Sequence, residues 1–333
     1  MPQDRIRILV DGHVLDGFDQ GSKTYLIGLW GELKETDNIM LFIACADKNN
    51  FEAYFTESNY VKFVSLPDRG SIYRLLIGLP LLSWNLAVDY LHSTYISPIF
   101  SFGKTIVSTH DVLFMDFPNL FPRSFSLMRS LFFRRSAKKS HVLITISEYS
   151  KARISHHYAI HENDIVVTPC GVSISRFVKD KELVCLKGKK FFLYVSRIEP
   201  RKNQISLIHA LERIDEEDIN LVFVGKKAID YPEFNAALES SSATDRIHLM
   251  SVTNYELGWL YRNAEACFYP SLGEGFGIPP IESVKLGSLT FVADNTALSE
   301  LRPYVHGVFA AEKIDEIATF MRSVVESGQP TVF

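Results

Sequence analysis

Two glutamates, Glu274 and Glu282, flank a stretch rich in glycine and proline in the segment SLGEGFGIPPIESVKLG, residues 271–287. The glycines allow close backbone approach to a ligand, and Pro279 and Pro280 suit the first turn of a helix, where N–H groups lack intrahelical partners. The pattern predicts Glu274 on a loop and Glu282 in the first turns of a helix. Hydroxyl pairs of a sugar or a ribose can donate hydrogen bonds to such carboxylates. Two alternatives stay open: the acid/base pair of a glycoside hydrolase and, for Glu282, stabilisation of its own helix N-terminus.

Two cations, Arg197 and Lys202, follow an apolar run in YVSRIEPRKN, residues 194–203. Both are predicted on the loop before a helix, whose positive pole points the same way. Two cations and a helix dipole suit a diphosphate, a ligand that a hydrolase does not need. Because Glu199 and Arg201 lie between them, a solvated charged turn is the alternative.

Two strand ends in the first half of the chain also carry candidates. His110 and Asp111 end the apolar run TIVSTHD. We expect His110 to offer hydrogen bonds in a ligand pocket, with metal binding or capping of the next segment as alternatives. The loop 11–25 contains Gly21 and leads into a helix predicted for residues 24–33. Its glycines would let backbone N–H groups approach an anion, unless the loop is a plain surface turn.

Short apolar runs precede most of these residues and alternate with helical patterns along the chain. Continuous apolar runs are typical of strands buried on both faces, which predicts parallel sheets covered by helices. Thirteen such runs predict strands at residues 6–12, 39–46, 61–66, 88–93, 105–111, 141–147, 165–171, 191–196, 220–225, 246–251, 266–271, 289–294 and 307–311.

The alternation lapses over residues 173–190, which are polar and predict a linker. We therefore predict an α/β protein of two Rossmann-like, doubly wound domains, residues 1–176 and 177–333. Such domains bind ligands outside the carboxyl ends of their strands, so we expect function on the loops after strands, in a cleft where the two domains face each other.

The overall composition is that of a globular protein, with 47% hydrophobic and 22% charged residues and a net charge of −4. The longest apolar stretch, residues 75–84, is about half of what a membrane-spanning helix needs. Without a signal-peptide pattern at the N-terminus, we expect a cytoplasmic protein. Four cysteines lie far apart without a CxxC pair, which predicts neither disulfides nor a zinc site. We expect no metal site and no nucleic-acid partner.

Several of these motifs, taken together, resemble glycosyltransferase family 4. The resemblance is carried by EGFGIPPIE, by VSRIEPRKN and by NYELGWLYRNAEACFYPSLGEGFG between them, and in the first half by VSTHDVLFMDFP, ITISEYSKARI and VTPCGVSISRF. Members of this family are retaining transferases that use nucleotide sugars and have the GT-B fold, two Rossmann-like domains that face each other across a cleft. The resemblance covers roughly residues 6–327.

In the second domain, the resemblance implies that Arg197 and Lys202 hold the donor diphosphate. It also implies that Glu274 binds hydroxyls of the transferred sugar and that Glu282 binds the nucleotide ribose. The remaining implied donor contacts are made by backbone groups, and they belong to Val252, Gly275, Phe276 and Gly277.

In the first domain, the resemblance implies that His110 lines the sugar pocket near the reacting centre and that Gly21 brings backbone to the phosphate. Two departures affect this picture. The first loop reads GFDQGSKTY where many relatives have adjacent glycines. The helix 313–327 is followed by GQPTVF alone, where most members continue into a segment that returns to the first domain. Either that segment is absent or the domains close differently.

The implied activity is hexosyl transfer from a nucleotide-diphosphate sugar to a saccharide or lipid-linked saccharide, with retention and without a metal, in cell-envelope polysaccharide synthesis. Arg197 and Lys202 would stabilise the leaving diphosphate, and Glu274 and His110 would act at the sugar. The alternatives are a GT-B enzyme of other activity, such as an epimerase or phosphorylase, and a non-catalytic protein that binds nucleotide sugars.

The segment RSFSLMRSLFFRRSAKK, residues 123–139, mixes apolar side chains with cations. A basic amphipathic surface of this kind can lie on anionic lipid, which predicts peripheral association with the inner face of the cell membrane. A core helix with a solvated basic side fits the same pattern.

Overall fold

The computed structural model describes residues 5–17, 21–121, 123–177, 179–214, 216–227 and 229–327, and within them it leaves the side chains of 123–127 and 327 undescribed. The chain divides into two compact units, Met1–Gly171 and Val172–Phe333. The predicted linker 173–190 belongs to the second unit. Its apolar residues Phe177 and Leu186 are buried in the core of that unit, so this segment is packed and not a free connection.

The first unit contains a seven-stranded parallel sheet in the order β3-β2-β1-β4-β5-β6-β7. Its strands are β1 Ile6–Asp11, β2 Ile39–Cys45, β3 Val61–Ser65, β4 Tyr90–Thr94, β5 Lys104–Ser108, β6 Val142–Thr145 and β7 Ile165–Val167. The helices around it are α1 Gly21–Trp30, α2 Lys48–Glu52, α3 Gly70–Tyr73, α4 Leu79–Asn85, α5 Leu113–Asp116, α6 Arg123–Lys139 and α7 Glu148–Tyr158. A π-helical turn, Arg74–Gly78, joins α3 to α4.

The second unit contains a six-stranded parallel sheet in the order β10-β9-β8-β11-β12-β13. Its strands are β8 Lys190–Val195, β9 Ile219–Val224, β10 Ile247–Met250, β11 Ala266–Tyr269, β12 Thr290–Ala293 and β13 Gly307–Phe309. Its helices are α8 Gln204–Leu211, α9 Pro232–Ser240, α10 Asn254–Asn263, α11 Ile278–Lys285 and α12 Ile314–Ser327. In the described residues, no helix is both long enough and apolar enough to span a bilayer.

All thirteen predicted strands are present in the two sheets, and every pairing between them is parallel. These strands could be predicted from continuous apolar runs because central strands are covered on both faces. In β9, for example, all six residues are buried.

Two predicted element ends were wrong. Helix α1 begins at Gly21 and ends at Trp30, about one turn earlier than predicted, and this register buries Tyr25 and Leu26. Strand β5 ends at Ser108, so His110 lies in the loop after it. The hydroxyl of Thr145 donates to the carbonyl of His110, which takes that oxygen out of the sheet ladder.

The strand order reverses once in each sheet, between β1 and β4 in the first unit and between β8 and β11 in the second. Chain connections leave in opposite directions at such a point and open a crevice beyond the carboxyl ends of the two strands. We call these two places the first and second switch points. The loops that follow β8 and β11 carry Arg197, Lys202 and Glu274.

Candidate functional site

The second switch point brings two of the predicted residues into direct contact. Lys202 closes the short helical turn after β8, and its ammonium forms an ion pair with the Glu274 carboxylate on the loop after β11. Both side chains are mostly buried, 13% and 16% exposed. The loops after β8 and β11 therefore meet at this pair.

A tyrosine of β8 ties the two loops together. The hydroxyl of Tyr194 donates to the carbonyl of Lys202 at 2.7 Å and lies 3.0 Å from the hydroxyl of Ser271. Ser271 in turn donates to Glu274 at 2.8 Å. The backbone N–H of Glu274 is held by the hydroxyl of Thr296 at 3.0 Å. Both the backbone and the carboxylate of Glu274 are thus fixed in place.

The Glu274 carboxylate is ionised at neutral pH. Burial alone would raise the pKa of the Glu274 carboxyl, but the charges of Lys202 and Arg201 outweigh it and hold this pKa at about 2. Burial lowers the pKa of the Lys202 ammonium, and the charge of Glu274 opposes that shift. An ionised Glu274 can only accept hydrogen bonds, which is the role that sugar hydroxyls require.

Arg197 is placed differently from Lys202. Its side chain is 65% exposed, and its guanidinium lies 3.5 Å from Glu199, a long and solvent-screened pair. The guanidinium therefore keeps most of its donors available to a ligand beside the loop.

Glu282 is engaged elsewhere. It lies in α11 and is only 2% exposed, with one carboxylate oxygen bound by Arg176 and the other accepting from the hydroxyl of Tyr261 at 3.2 Å. Burial raises its pKa, and the charge of Arg176 opposes the rise. In the described residues, no hydrogen bond joins Glu282 to Glu274, so the two glutamates form separate clusters.

The remaining predicted positions of this unit lie in the loop after β11 and, for Val252, after β10. Gly275 is buried and Phe276 partly buried, while Gly277 precedes α11 with φ at 110°, where a side chain would meet Leu298 and Leu301. A glycine is therefore required at 277 for packing and backbone conformation alone. Val252 follows β10 and packs on the core of the unit.

In the first unit, His110 is buried beside two aromatic rings. Its ring centroid lies 4.6 Å from that of Tyr25 and 5.2 Å from that of Tyr95. Burial, with a smaller contribution from His92, lowers its pKa to about 3, so the imidazole is neutral. Within the described chain, its Nε2 has no hydrogen-bond partner. Gly21, the other prediction in this unit, is the exposed first residue of α1.

Two family models divide the chain between them. The model described as "Glycosyltransferase Family 4" matches residues 20–176, and the one described as "Glycosyl transferases group 1" matches residues 175–331. The chain belongs to glycosyltransferase family 4. The family predicted from the motifs is confirmed.

Among proteins of known function, this family 4 chain is 29% identical to the O-antigen chain mannosyltransferase RfbU of Salmonella typhimurium over 59% of its own length. It is 23% identical to O-antigen chain mannosyltransferase B of Escherichia coli over 66% of its length. These matches span 53% and 61% of the relatives, respectively, that is, little more than half of each.

Solved structures resemble the family 4 chain over nearly all of its length. Sucrose-phosphate synthase from Thermosynechococcus elongatus superposes with a TM-score of 0.74 at 15% identity, covering 97% of this chain and 90% of that one. HepE of Anabaena in complex with UDP-glucose gives a TM-score of 0.72 at 14% identity, with 97% and 90% covered. The likeness shows the predicted GT-B fold.

One residue of this candidate site, Arg201, was not predicted from the sequence. Arg201 is mostly buried; its guanidinium donates to the carbonyl of Gly273, to Glu199 and, at 3.0 Å, to Glu274. It thereby joins the loops after β8 and β11. The available signal was a third cation next to Lys202 in PRKN, which was considered only in support of the alternative, a solvated charged turn. Across the described part of the chain, no three histidine, cysteine or acidic side chains are grouped as metal ligands.

Proposed function

We propose that this protein transfers a hexosyl group from a nucleotide-diphosphate sugar to a saccharide or lipid-linked saccharide, with retention of configuration, in cell-envelope polysaccharide synthesis. The observation that carries the proposal is the Lys202–Glu274–Arg201 cluster at the second switch point. Relatives named as O-antigen mannosyltransferases and a neighbour solved with UDP-glucose support it.

The cations of this cluster suit the donor diphosphate. An ammonium has three donors, so Lys202 can keep Glu274 and still bind a phosphate oxygen, while the exposed Arg197 reaches the same anion from solvent. Negative charge grows on the leaving diphosphate as the glycosidic bond breaks, and fixed cations lower the energy of that transition state. This role needs no metal, and we propose that transfer is metal-independent.

Glu274 and His110 would act at the sugar. A carboxylate held in place by Lys202, Arg201 and Ser271 accepts hydroxyl hydrogen bonds without reorganising. His110 is held neutral, so its unpartnered Nε2 can form a hydrogen bond without adding charge near the reacting carbon. We propose front-face attack, in which the acceptor oxygen bonds to the anomeric carbon as the diphosphate leaves and takes the acceptor proton.

Nucleotide calorimetry tests the donor site. The parent protein is titrated with GDP, UDP, ADP and dTDP, and we expect at least one to bind. Lys202→Ala should weaken that binding about tenfold to a hundredfold, since it removes a charged hydrogen bond to the anion. Lys313→Ala, which removes an exposed lysine of the same unit, is the control and should bind like the parent. Failure of the parent to bind any of the four would reject the proposal.

The acceptor side is proposed to lie on anionic lipid through residues 123–139. Helix α6 buries Phe133 and Ala137 yet leaves Met128 63% and Leu131 68% exposed. Arg134, Lys138 and Lys139 are exposed along the same helix. Exposed apolar side chains beside cations suit an anionic membrane surface. Phe125 and Leu127 lie where side chains are not described.

Flotation with vesicles of phosphatidylglycerol and phosphatidylcholine tests the docking. We expect the parent to float with the anionic vesicles and the variant with Arg134, Arg135, Lys138 and Lys139 changed to Glu to stay in solution. A matched variant reverses four exposed lysines of the second unit, Lys179, Lys187, Lys189 and Lys190. If it detaches equally, the attraction depends on total charge and not on α6.

A further inference from the structure

The first switch point holds a buried carboxylate that no role above uses. Asp11 is the last residue of β1, which lies beside β4 where the strand order reverses. Its side chain is fully buried. Ligands of open α/β sheets bind beyond the carboxyl ends of strands at such a reversal, so this is where the first unit should hold one.

Asp11 fixes the orientation of His13. Its Oδ1 lies 2.9 Å from the Nδ1 of His13 and also accepts from the backbone N–H of that residue at 3.4 Å. Burial alone would raise the pKa of the Asp11 carboxyl, but the interactions with His13 and Arg74 outweigh it and lower that pKa. Asp11 is therefore an acceptor only, and Nδ1 of His13 must carry the proton.

The other ring nitrogen of His13 is left available. With the proton on Nδ1, the Nε2 of a neutral imidazole is a hydrogen-bond acceptor. It has no partner in the described ranges, although the His13 side chain is only 34% exposed. A buried carboxylate that sets the tautomer of a half-exposed histidine is how proteins present one imidazole nitrogen to a ligand.

Arg74 completes the cluster from the π-helical turn Arg74–Gly78. Its Nε lies 3.4 Å from Oδ2 of Asp11, and neither atom has a hydrogen bond with good geometry in the described residues. No described residue engages the two terminal nitrogens of Arg74. π-Helical turns occur often at functional sites, where they alter the direction of a side chain.

We infer that Asp11, His13 and Arg74 form a subsite for hydroxyl groups of the acceptor saccharide. Nε2 of His13 accepts a hydrogen bond from one hydroxyl, and a terminal nitrogen of Arg74 donates to the oxygen of a neighbouring one. The inference rests on the proposed function for the identity of the acceptor. Asp11 is a positioning residue that acts through His13.

The charge of the cluster favours a neutral sugar over an anion. The Arg74 cation is balanced by the Asp11 carboxylate. A phosphate would meet the buried carboxylate without a surplus cation. A sugar diol needs one acceptor and one donor side by side, which is what His13 and Arg74 offer.

Two substitutions of His13 distinguish a ligand-binding role of this residue from a purely structural one. In His13→Asn the amide nitrogen takes the place of Nδ1, so the bond to Asp11 is kept and Nε2 is lost. In His13→Gln the amide lies near Nε2 and the bond to Asp11 is lost. A structural histidine tolerates Asn better than Gln, whereas a hydroxyl-binding histidine tolerates Gln better than Asn.

Saturation-transfer NMR on the full chain provides the test, with methyl α-mannoside, methyl α-galactoside and methyl β-glucoside as probes. We expect the parent to bind at least one, His13→Asn to weaken that binding about tenfold, and His13→Gln to retain part of it. No binding of any probe by the parent, or parent-like binding by His13→Asn, overturns the inference. Preferential binding of inorganic phosphate overturns it as well.

Nucleotide calorimetry on the same samples distinguishes the two proposals. If the parent binds a nucleoside diphosphate but no glycoside, the donor site stands and the hydroxyl subsite fails. If it binds a glycoside that His13→Asn loses but no nucleotide, the subsite stands and the proposed transferase fails. Both His13 variants should bind nucleotide like the parent.

Discussion

The two switch points share one topology but differ in charge. At the second, three cations, Arg197, Arg201 and Lys202, face the carboxylates of Glu199 and Glu274, which leaves one positive charge in surplus. At the first, Arg74 faces Asp11 alone and the charges cancel. In the two proposals, the sheet reversal sets where each unit would bind its ligand, and the loop side chains set whether that ligand would be an anion or a neutral sugar.

The largest expected effect comes from Glu274→Ala at the charged switch point. Transfer should fall about 10²- to 10³-fold, because a fixed acceptor for sugar hydroxyls is lost. Nucleotide affinity should change little, since Lys202, Arg201 and Arg197 remain. Initial rates of nucleoside diphosphate release, with calorimetry on the same variant, check both statements. Full activity in the variant would remove Glu274 from the sugar site.

Arg201→Met is expected to act on stability. It leaves the carbonyl of Gly273 and the carboxylates of Glu199 and Glu274 with fewer partners in a mostly buried place, at a cost of about 2–4 kcal/mol. Arg197→Met removes an exposed cation and should cost less than about 0.5 kcal/mol while it weakens nucleotide binding. Urea unfolding compares the two. Equal stabilities would show that Arg201 does not join the loops.

We expect acid to destabilise the first unit more than the second, because the first contains two buried neutral histidines. Burial lowers the pKa of His110 to about 3 and that of His92 to about 4. Below their ordinary value of 6.5 the unfolded chain takes up protons that the folded unit does not, so stability falls as pH drops. From neutral pH to pH 5 the loss is roughly 2 kcal/mol per histidine.

The second unit should resist acid longer. Its pKa of about 2 at Glu274 lies below the ordinary 4.5, so that stabilisation is lost only as pH falls from about 4.5 towards 2. Its histidines His248 and His306 are more exposed and contribute less. Hydrogen exchange at pH 7 and pH 5, compared for peptides of β4–β6 and β8–β12, measures the contrast. His110→Gln should flatten the pH response of the first unit; an equal response in both units would contradict this account.

The smallest effect is expected for Asp11→Asn. An amide can hydrogen-bond to either tautomer of His13, so Nε2 becomes a donor in part of the molecules and glycoside binding weakens about threefold. Nucleotide binding should stay unchanged within error. A loss of nucleotide affinity in this variant would mean that the two switch points do not bind separate ligands.

The fold could be predicted because buried parallel strands correspond to continuous apolar runs in the sequence. Lys202 and Glu274 could be named as candidates because both lie on loops that follow strands, but their ion pair was not predicted. Arg201 could not be placed, because a buried arginine and a solvated one look alike until their partners are known. The ends of α1 and β5 depended on side-chain contacts, such as that of Thr145 with His110, which no local pattern encodes.

The Asp11–His13 pair was hidden for a different reason. Asp11 and His13 lie two residues apart in a segment where only the glycines were considered as candidates. Arg74, which completes the cluster, lies in a π-helical turn far along the chain. Only the folded unit brings the three together. The predicted contact of Glu282 with a ribose and the backbone contacts of Val252, Gly275, Phe276, Gly277 and Gly21 stay predictions.

The pairing of Glu282 with Arg176 bears on how a nucleotide would be selected. Since Glu282 is only 2% exposed and both its carboxylate oxygens already have partners, a ribose that binds there exchanges one set of hydrogen bonds for another. The sugar ring of the nucleotide would then add little net affinity, and a deoxyribonucleotide would be tolerated nearly as well. Arg176 follows the boundary between the units by a few residues, so this exchange would also loosen the start of the second unit.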